Sequence, residues 1–379
     1  MRICGIIVEY NPFHNGHIYH IEQAKKISQC DILIAVMSGH FTQRGEPAII
    51  NKWDRTKFAL EYGVDLVIEL PFNYACQSAD YFAYGAMFLL NALKVDCIVF
   101  GSEGNNPSEL NEIATTIFNN EELYNHLVKT YMKQGLRYPN ACNQALKKIT
   151  DKQITLPNDL LALSYVKEIV KNKYPITPIS IQRTNHFHDT TLNQKISSAT
   201  SIRLAIKNQI DSSHSTPMAS LLQKNPIDLE NYFDLLYYKL NLSTRLEDIH
   251  LVEEGIERLM IKKINEATSM ECFIELMTSK RYTASRIRRT VISVLMNQTH
   301  SFYPIDYIRI LGMNTKGRNY IHQIKKDCPV KIISNFANID SPLLQLELKA
   351  TKLYCYALPM QERQSLIKRE YQGYPIIIK

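Results

Sequence analysis

The segment Glu9-Tyr10-Asn11-Pro12-Phe13-His14-Asn15-Gly16-His17 follows directly on an apolar run, Ile3–Val8, and the two together spell a strand, a sharp turn and a helix start. Pro12 biases Asn11 away from helical backbone. Gly16 lets the chain approach a ligand closely where the next helix, expected over Ile18–Lys26, begins. A helix start there offers unpaired N–H groups and the positive end of the helix dipole, a setting suited to phosphate. His14 and His17, three residues apart, converge on the same side. Two imidazoles so placed can stabilise the extra negative charge that develops when a nucleophile attacks the α-phosphate of ATP. A lone histidine near a helix start is more often a cap or a surface residue. Here two histidines, a glycine and a strand-turn-helix frame coincide.

Outward from this segment, apolar β-rich runs recur at Ile32–Met37, Leu66–Leu70, Cys97–Phe100 and Ile179–Ile181, with helical patterns such as Asp54–Tyr62 and Ala79–Leu90 between them. Continuous apolar strands alternating with helices predict an α/β fold, a parallel sheet with helices on both faces. We place this nucleotide-binding domain at 1–210. The polar stretch Asp211–Pro217 reads as a linker or exposed loop. Amphipathic segments beyond it, Leu251–Ile264 and Ala284–Met296, predict a mostly helical C-terminal domain over 218–379, with Pro329–Ile333 and Pro375–Ile378 as candidate short strands.

Composition bounds the function. With 45% apolar and 21% charged residues among 379, the chain can bury a sizeable core. No run of eighteen uncharged apolar residues suggests a membrane span, and the opening residues lead into a strand rather than a signal peptide, so a cytoplasmic enzyme is expected. The eight cysteines, at 4, 30, 76, 97, 142, 272, 328 and 355, form no Cys-x-x-Cys pair, so buried thiols are expected in place of a zinc site or disulfides. His186, His188 and Asp189 lack a third or fourth ligand at a fixed spacing and read as a polar loop; no metal site is expected. A formal charge of +7 permits a polyanionic partner.

Other segments suit the same site. Phe100-Gly101-Ser102-Glu103 ends the fourth strand, where a glycine permits close contact with base or ribose. Ser198-Ala199-Thr200-Ser201-Ile202-Arg203 offers hydroxyls and amides at a helix start, with Arg203 adding charge, so Ser198, Thr200 and Arg203 are candidate ligands of the β- and γ-phosphates. The other reading of that segment is an ordinary N-cap. Lys280, Arg281, Arg286, Arg288 and Arg289 fall within ten residues that contain no acid, and Ser285, Arg288 and Arg289 share one side of a helix. Such a run is either a solvated face or a phosphate-binding one.

The His-x-Gly-His pattern, at the first β-to-α junction, resembles the signature of the nucleotidyltransferase superfamily. A longer match is more specific: GIIVEYNPFHNGHIYH at the start, Met37-Ser38-Gly39-His40-Phe41 with Arg44-Gly45-Glu46-Pro47-Ala48, Asp65-Leu66-Val67-Ile68-Glu69-Leu70-Pro71, and Phe100-Gly101-Ser102-Glu103. With Lys280-Arg281-Tyr282-Thr283, Ser285-Arg286-Ile287-Arg288-Arg289 and Lys316-Gly317-Arg318, these resemble the bacterial tRNA(Met) cytidine acetate ligase family over most of the chain. The resemblance implies ATP-dependent activation of acetate to acetyl-adenylate, then transfer of the acetyl group to the wobble cytidine of elongator tRNA(Met), giving N4-acetylcytidine. It implies an ATP site made of Ile7, Val8, Glu9, Tyr10, Asn11, Pro12, Phe13, His14, Asn15, Gly16, His17, Ile18, Tyr19 and His20, with Gly101, Asn158 and Arg183. Magnesium is expected with the phosphates, without a protein cage. The family often shows two asparagines after Pro157; the second position here is Asp159, so the contact is assigned to Asn158. The Ser-Ala-Thr spelling at 198–200 also departs from the commoner superfamily form. For the basic cluster the resemblance favours tRNA. The alternatives are a small-molecule adenylyltransferase, which would use His14 and His17 identically but needs no basic helical appendage, and an RNA-binding protein without catalysis.

Overall fold

A computed structural model describes residues 1–183, 197–224, 226–243, 245–253, 255–336 and 340–379. The His186, His188, Asp189 group lies outside them. The five expected strands form, as β1 (Ile3–Val8), β2 (Ile32–Ser38), β3 (Leu66–Leu70), β4 (Cys97–Ser102) and β5 (Thr177–Gln182), all parallel. Their order within the sheet is β5-β4-β1-β2-β3. The chain steps one way from β1 to β3 and then returns to lay β4 on the other side of β1. A crevice therefore opens beyond the carboxyl ends of β1 and β4, where an open α/β sheet binds its ligands.

Alternation along the strands feeds two cores. Cys4, Ile6, Val8, Leu33, Ala35 and Met37 pack on one face with helices α1 (Asn15–Ser28) and α2 (Lys52–Glu61). Ile3, Ile32, Ile34, Val36, Leu66 and Ile68 pack on the other with the Ala79–Ala92 and Pro157–Asn172 helices. Both faces are covered, which is why these strands read as unbroken apolar runs.

The C-terminal half is largely helical, yet it also extends the sheet. β6 (Tyr307–Met313) pairs antiparallel with β3, β7 (Lys331–Ile333) pairs with β6, and β8 (Ile376–Ile377) adds to the far end of β6. β7 and β8 fall where short strands were expected; β6 was not anticipated, and it adds an antiparallel strand to the edge of the expected parallel sheet. Both cores continue into this half, through Val291, Tyr354 and Leu366 on one face and Tyr307, Ile308 and Leu343 on the other. The sheet thus crosses the boundary expected near 210–218. The eight cysteines are free thiols. Among the described residues, no helix is long and apolar enough to cross a membrane.

Candidate active site

His14 is the N-cap of α1, with extended backbone (φ −149, ψ 172), and its Nδ1 accepts the Gly16 N–H at 3.0 Å. His17 Nδ1 in turn accepts the His14 N–H at 3.2 Å. This is a capping box built from two imidazoles, where a hydroxyl and a carboxamide or carboxylate are usual. Both Nδ1 atoms are acceptors, so each neutral ring carries its proton on Nε2. The ring centroids lie 3.8 Å apart. Burial first, then the Arg183 and Arg203 guanidiniums, pushes His14 down to about 3. Burial, then His14, His20 and Arg183, holds His17 well below its usual value. The pair is therefore neutral at physiological pH, offering two Nε2–H donors.

The same box corrects the expectation of unpaired amides at this helix start. Asn15 N–H donates to Ser215 O at 3.0 Å, Gly16 N–H to the His14 ring, and His17 N–H to His14 O at 2.8 Å. An anion here meets imidazole and guanidinium donors in place of those three amides. Asp211–Pro217 is a loop, as expected, and exposed at Asp211, Ser213 and His214, but not throughout. Ser215 and Thr216 are buried, Thr216 Oγ1 donates to Phe13 O at 2.5 Å, and Asn15 Nδ2 donates to His214 O at 2.8 Å. Polar residues here satisfy the backbone of the turn, a use that composition does not distinguish from solvation.

Several groups hold the turn from behind. Arg55, wholly buried, donates to the carbonyls of Ile50, Glu9, Ser38 and Gly39, fastening the ends of β1 and β2 together. Asn11 Oδ1 accepts Ile49 N–H at 2.8 Å, and Glu9 Oε1 accepts Gln43 N–H at 2.7 Å. Val8, Tyr10 and Phe13 are core residues, while Ile7 and Ile18 pack at its margin. Pro12 is buried in the turn. His20, three residues past His17, is held down at about 4 by burial and by Arg183, and its buried Nε2 has no hydrogen-bond partner among the described residues. Tyr19 is exposed, about 200° around the helix from His17, so the structure does not bring it to the histidine pair.

Across the crevice, a Cβ on Gly101 would stand 3.2 Å from Arg183 Cγ, so the missing side chain gives Arg183 room to lie over the end of β4. Arg183 N–H donates to Ser102 O at 3.0 Å. Asn158 Nδ2 donates to Glu103 Oε1 at 2.5 Å, and Asp159 N–H to Glu103 Oε2 at 3.1 Å. Asp159 returns the favour, accepting from Ser102 Oγ at 2.5 Å and from Glu103 and Gly104 N–H at 3.0 Å each. The departure at 159 is thus a structural acid. Its carboxylate takes two backbone donors and a hydroxyl, where an amide would offer a single oxygen.

Ser198 caps the Ala199–Lys207 helix, its Oγ accepting Ser201 N–H at 3.0 Å, as the ordinary reading expects. Thr200 is exposed, its Oγ1 3.5 Å from Arg203 Nη2. Arg203 reaches the turn, donating from Nη1 to Asn11 O at 2.8 Å. The basic cluster divides. Lys280 and Arg281 are exposed, Arg281 over the Tyr282 ring. Arg286 lies 3.4 Å from Glu253 Oε2 and Arg288 3.6 Å from Glu46 Oε1, while Arg289 turns inward to Gln43 O at 3.1 Å. The face is therefore neither wholly solvated nor wholly free for phosphate. Arg55, Glu46 and Ser215 escaped the sequence reading, although Glu46 stands inside a quoted motif. Among the described residues, no three His, Cys, Asp or Glu side chains converge as a metal site would require.

The profile of the HIGH Nucleotidyl Transferase family matches residues 1–370. A tRNA(Met) cytidine acetate ligase of Oceanobacillus iheyensis is 41% identical, the match covering all of both chains. Two crystal structures of Thermotoga maritima TmcAL superpose over the whole of both chains: the apo form with TM-score 0.91 at 32% identity, and a form bound with alpha-thio ATP with TM-score 0.88 at 31% identity.

Proposed function

The chain belongs to the tRNA(Met) cytidine acetate ligase family of HIGH nucleotidyl transferases, and from that premise we propose that it activates acetate with ATP and acetylates the wobble cytidine of elongator tRNA(Met) in the cytoplasm. The observation that carries the reading is the double-imidazole cap, which aims two neutral Nε2–H donors out of the first β-to-α turn. An acetate oxygen attacks the α-phosphorus, the bond to the bridging oxygen breaks, and pyrophosphate leaves. The non-bridging α-oxygens gain charge on the way, and preorganised donors stabilise that charge without reorganising. Arg203, fixed against Asn11 O, and Arg183, over the end of β4, supply positive charge for the phosphates. In the second step the cytidine N4 attacks the acetyl carbon, AMP departs and N4 loses a proton.

In this reading the ATP site is formed by the 7–18 turn and His20 with Gly101, Asn158 and Arg183, and Ser198 and Thr200 border the phosphates. Residues 1–210 perform activation. Residues 218–379 carry the tRNA surface, to which Lys280 and Arg281 contribute exposed charge. Magnesium would enter with ATP as a counterion of its phosphates, and the steps above use only this chain's own groups. The test is exchange of labelled pyrophosphate into ATP. Exchange that requires acetate supports the proposal. Exchange that requires a phosphorylated metabolite in place of acetate points to a small-molecule adenylyltransferase, and its absence with either acceptor to a binding protein.

A further inference from the structure

Glu46 stands between Arg203, which the proposed function gives to the ATP phosphates, and Arg288, which belongs to the basic cluster read as the tRNA surface. Its Oε2 is 3.6 Å from Arg203 Nη2 and its Oε1 3.6 Å from Arg288 Nη1. The backbone around it is pinned. Glu46 O accepts Thr42 N–H at 2.9 Å, Arg289 donates to Gln43 O, and Gln43 N–H donates to Glu9 beside the histidine turn. Gly45, at φ 77, lies so close to the Ala284–Met296 helix that a Cβ there would come within 2.4 Å of Arg289 N. The loop has no room to shift as a whole, whereas the Glu46 carboxylate can turn about its own side-chain bonds. The side chains of Arg203, Arg288 and Glu46 keep 25, 30 and 21% exposure, so phosphates can reach all three.

We propose that Glu46 is a positioning residue that interlocks the two phosphate sites, one carboxylate serving whichever arginine is not engaged by an anion. When the ATP phosphates take Arg203, Glu46 turns wholly to Arg288 and competes there with an RNA phosphate. When pyrophosphate leaves, Glu46 returns to Arg203 and Arg288 is released. Binding of triphosphate and of RNA then oppose each other, and by linkage each weakens the other by the same factor. The consequence is an order: acetate is activated first, and RNA docks fully on Arg288 after pyrophosphate has gone. This rests on the reading of Arg203 and Arg288 as phosphate ligands.

The test measures the affinity of the full chain for elongator tRNA(Met), alone and with saturating α,β-methylene ATP. In the unaltered protein the analogue should weaken tRNA binding about fivefold, the low end of measured couplings because the pairs are partly exposed. In Glu46→Gln the tRNA affinity without analogue should rise and the effect of the analogue should shrink below about twofold, the remainder being direct repulsion between phosphates. Glu46→Asp should keep most of the coupling. A merely structural Glu46 would alter melting temperature while leaving the analogue's factor unchanged, and that result overturns the interlock. Unaltered tRNA affinity in Arg288→Gln would overturn the RNA reading of Arg288 and the interlock with it. Weakened binding in Arg288→Gln, with an undiminished analogue effect in Glu46→Gln, would overturn the interlock alone.

Discussion

Single side chains decide whether the crevice is a catalyst. Asparagine at position 14 preserves the cap, since its carbonyl oxygen can accept Gly16 N–H as the His14 Nδ1 does, but removes the Nε2–H donor. His14→Asn should therefore melt near the parent temperature while acetate-dependent pyrophosphate exchange falls on the order of a hundredfold or more, the usual cost of one oxyanion donor; near-normal exchange would remove His14 from the chemistry. A pH dependence follows from the same burial. His14 and His20 sit at about 3 and about 4 in the folded chain, against 6.5 when unfolded. Between those values the unfolded chain binds more protons, so stability is complete above about pH 6.5 and declines as pH falls toward 4. Melting curves from pH 7.5 to 5 should show that decline, and it should be shallower in His14→Asn. The histidine pair itself was legible, because its spacing and its place after β1 are sequence properties. The tautomers were not, since they depend on which backbone amides the rings receive.

At the scale of elements, legibility followed the uniformity of the pattern. β1, β2 and β4 are apolar on both faces and announce themselves, and β3 does so through Leu66-Val67-Ile68 ahead of Glu69. β6 hides because Arg309 interrupts Tyr307-Ile308-Arg309-Ile310-Leu311, and a charge in mid-strand reads as surface until its buried partners are known. The buried part of the Asp211–Pro217 loop escaped for the converse reason, that polar residues meeting buried backbone look the same in sequence as polar residues meeting water. At the end of β4 the structure sharpens the role of Gly101. Its open side faces Arg183, so Gly101→Val should act chiefly by pressing that guanidinium away from the crevice. The strand itself accepts valine. Equilibrium binding should show weaker ATP affinity at an unchanged melting temperature, and parent-like affinity would place the nucleotide away from β4.

For the molecule as a whole, five buried ionisable groups bind its two halves. Lys52 of α2 contacts Glu69 of β3 and, at 2.7 Å, Glu370 of the Met360–Gln372 helix; Arg309 of β6 lies 3.0 Å from Glu69 and 2.5 Å from Glu370. Glu347, in the Pro342–Tyr356 helix, lies 3.5 Å from Lys52 and is pushed up to about 8 by burial and then by Glu69, which favours its neutral acid form beside the two cations. Each of these side chains is at most 1% exposed. Removing one partner from such a set leaves a buried charge uncompensated, at a typical cost of about 3–5 kcal/mol, whereas an exposed pair contributes under about 1 kcal/mol. Lys52→Met should therefore lower unfolding free energy several times more than Lys57→Met, which removes the exposed Lys57–Glu61 pair on the same helix. Because the network and the sheet both join residues before 210 to residues after 300, the two functional halves should not be separate folding units. Urea unfolding of the full chain should give one transition with coincident fluorescence and circular dichroism, and a chain ending at 210, with the β3 edge and Glu69 stripped of Arg309 and Glu370, should fail to fold. A soluble, cooperatively melting 1–210 fragment would show that the network is dispensable and that the activation half stands on its own core.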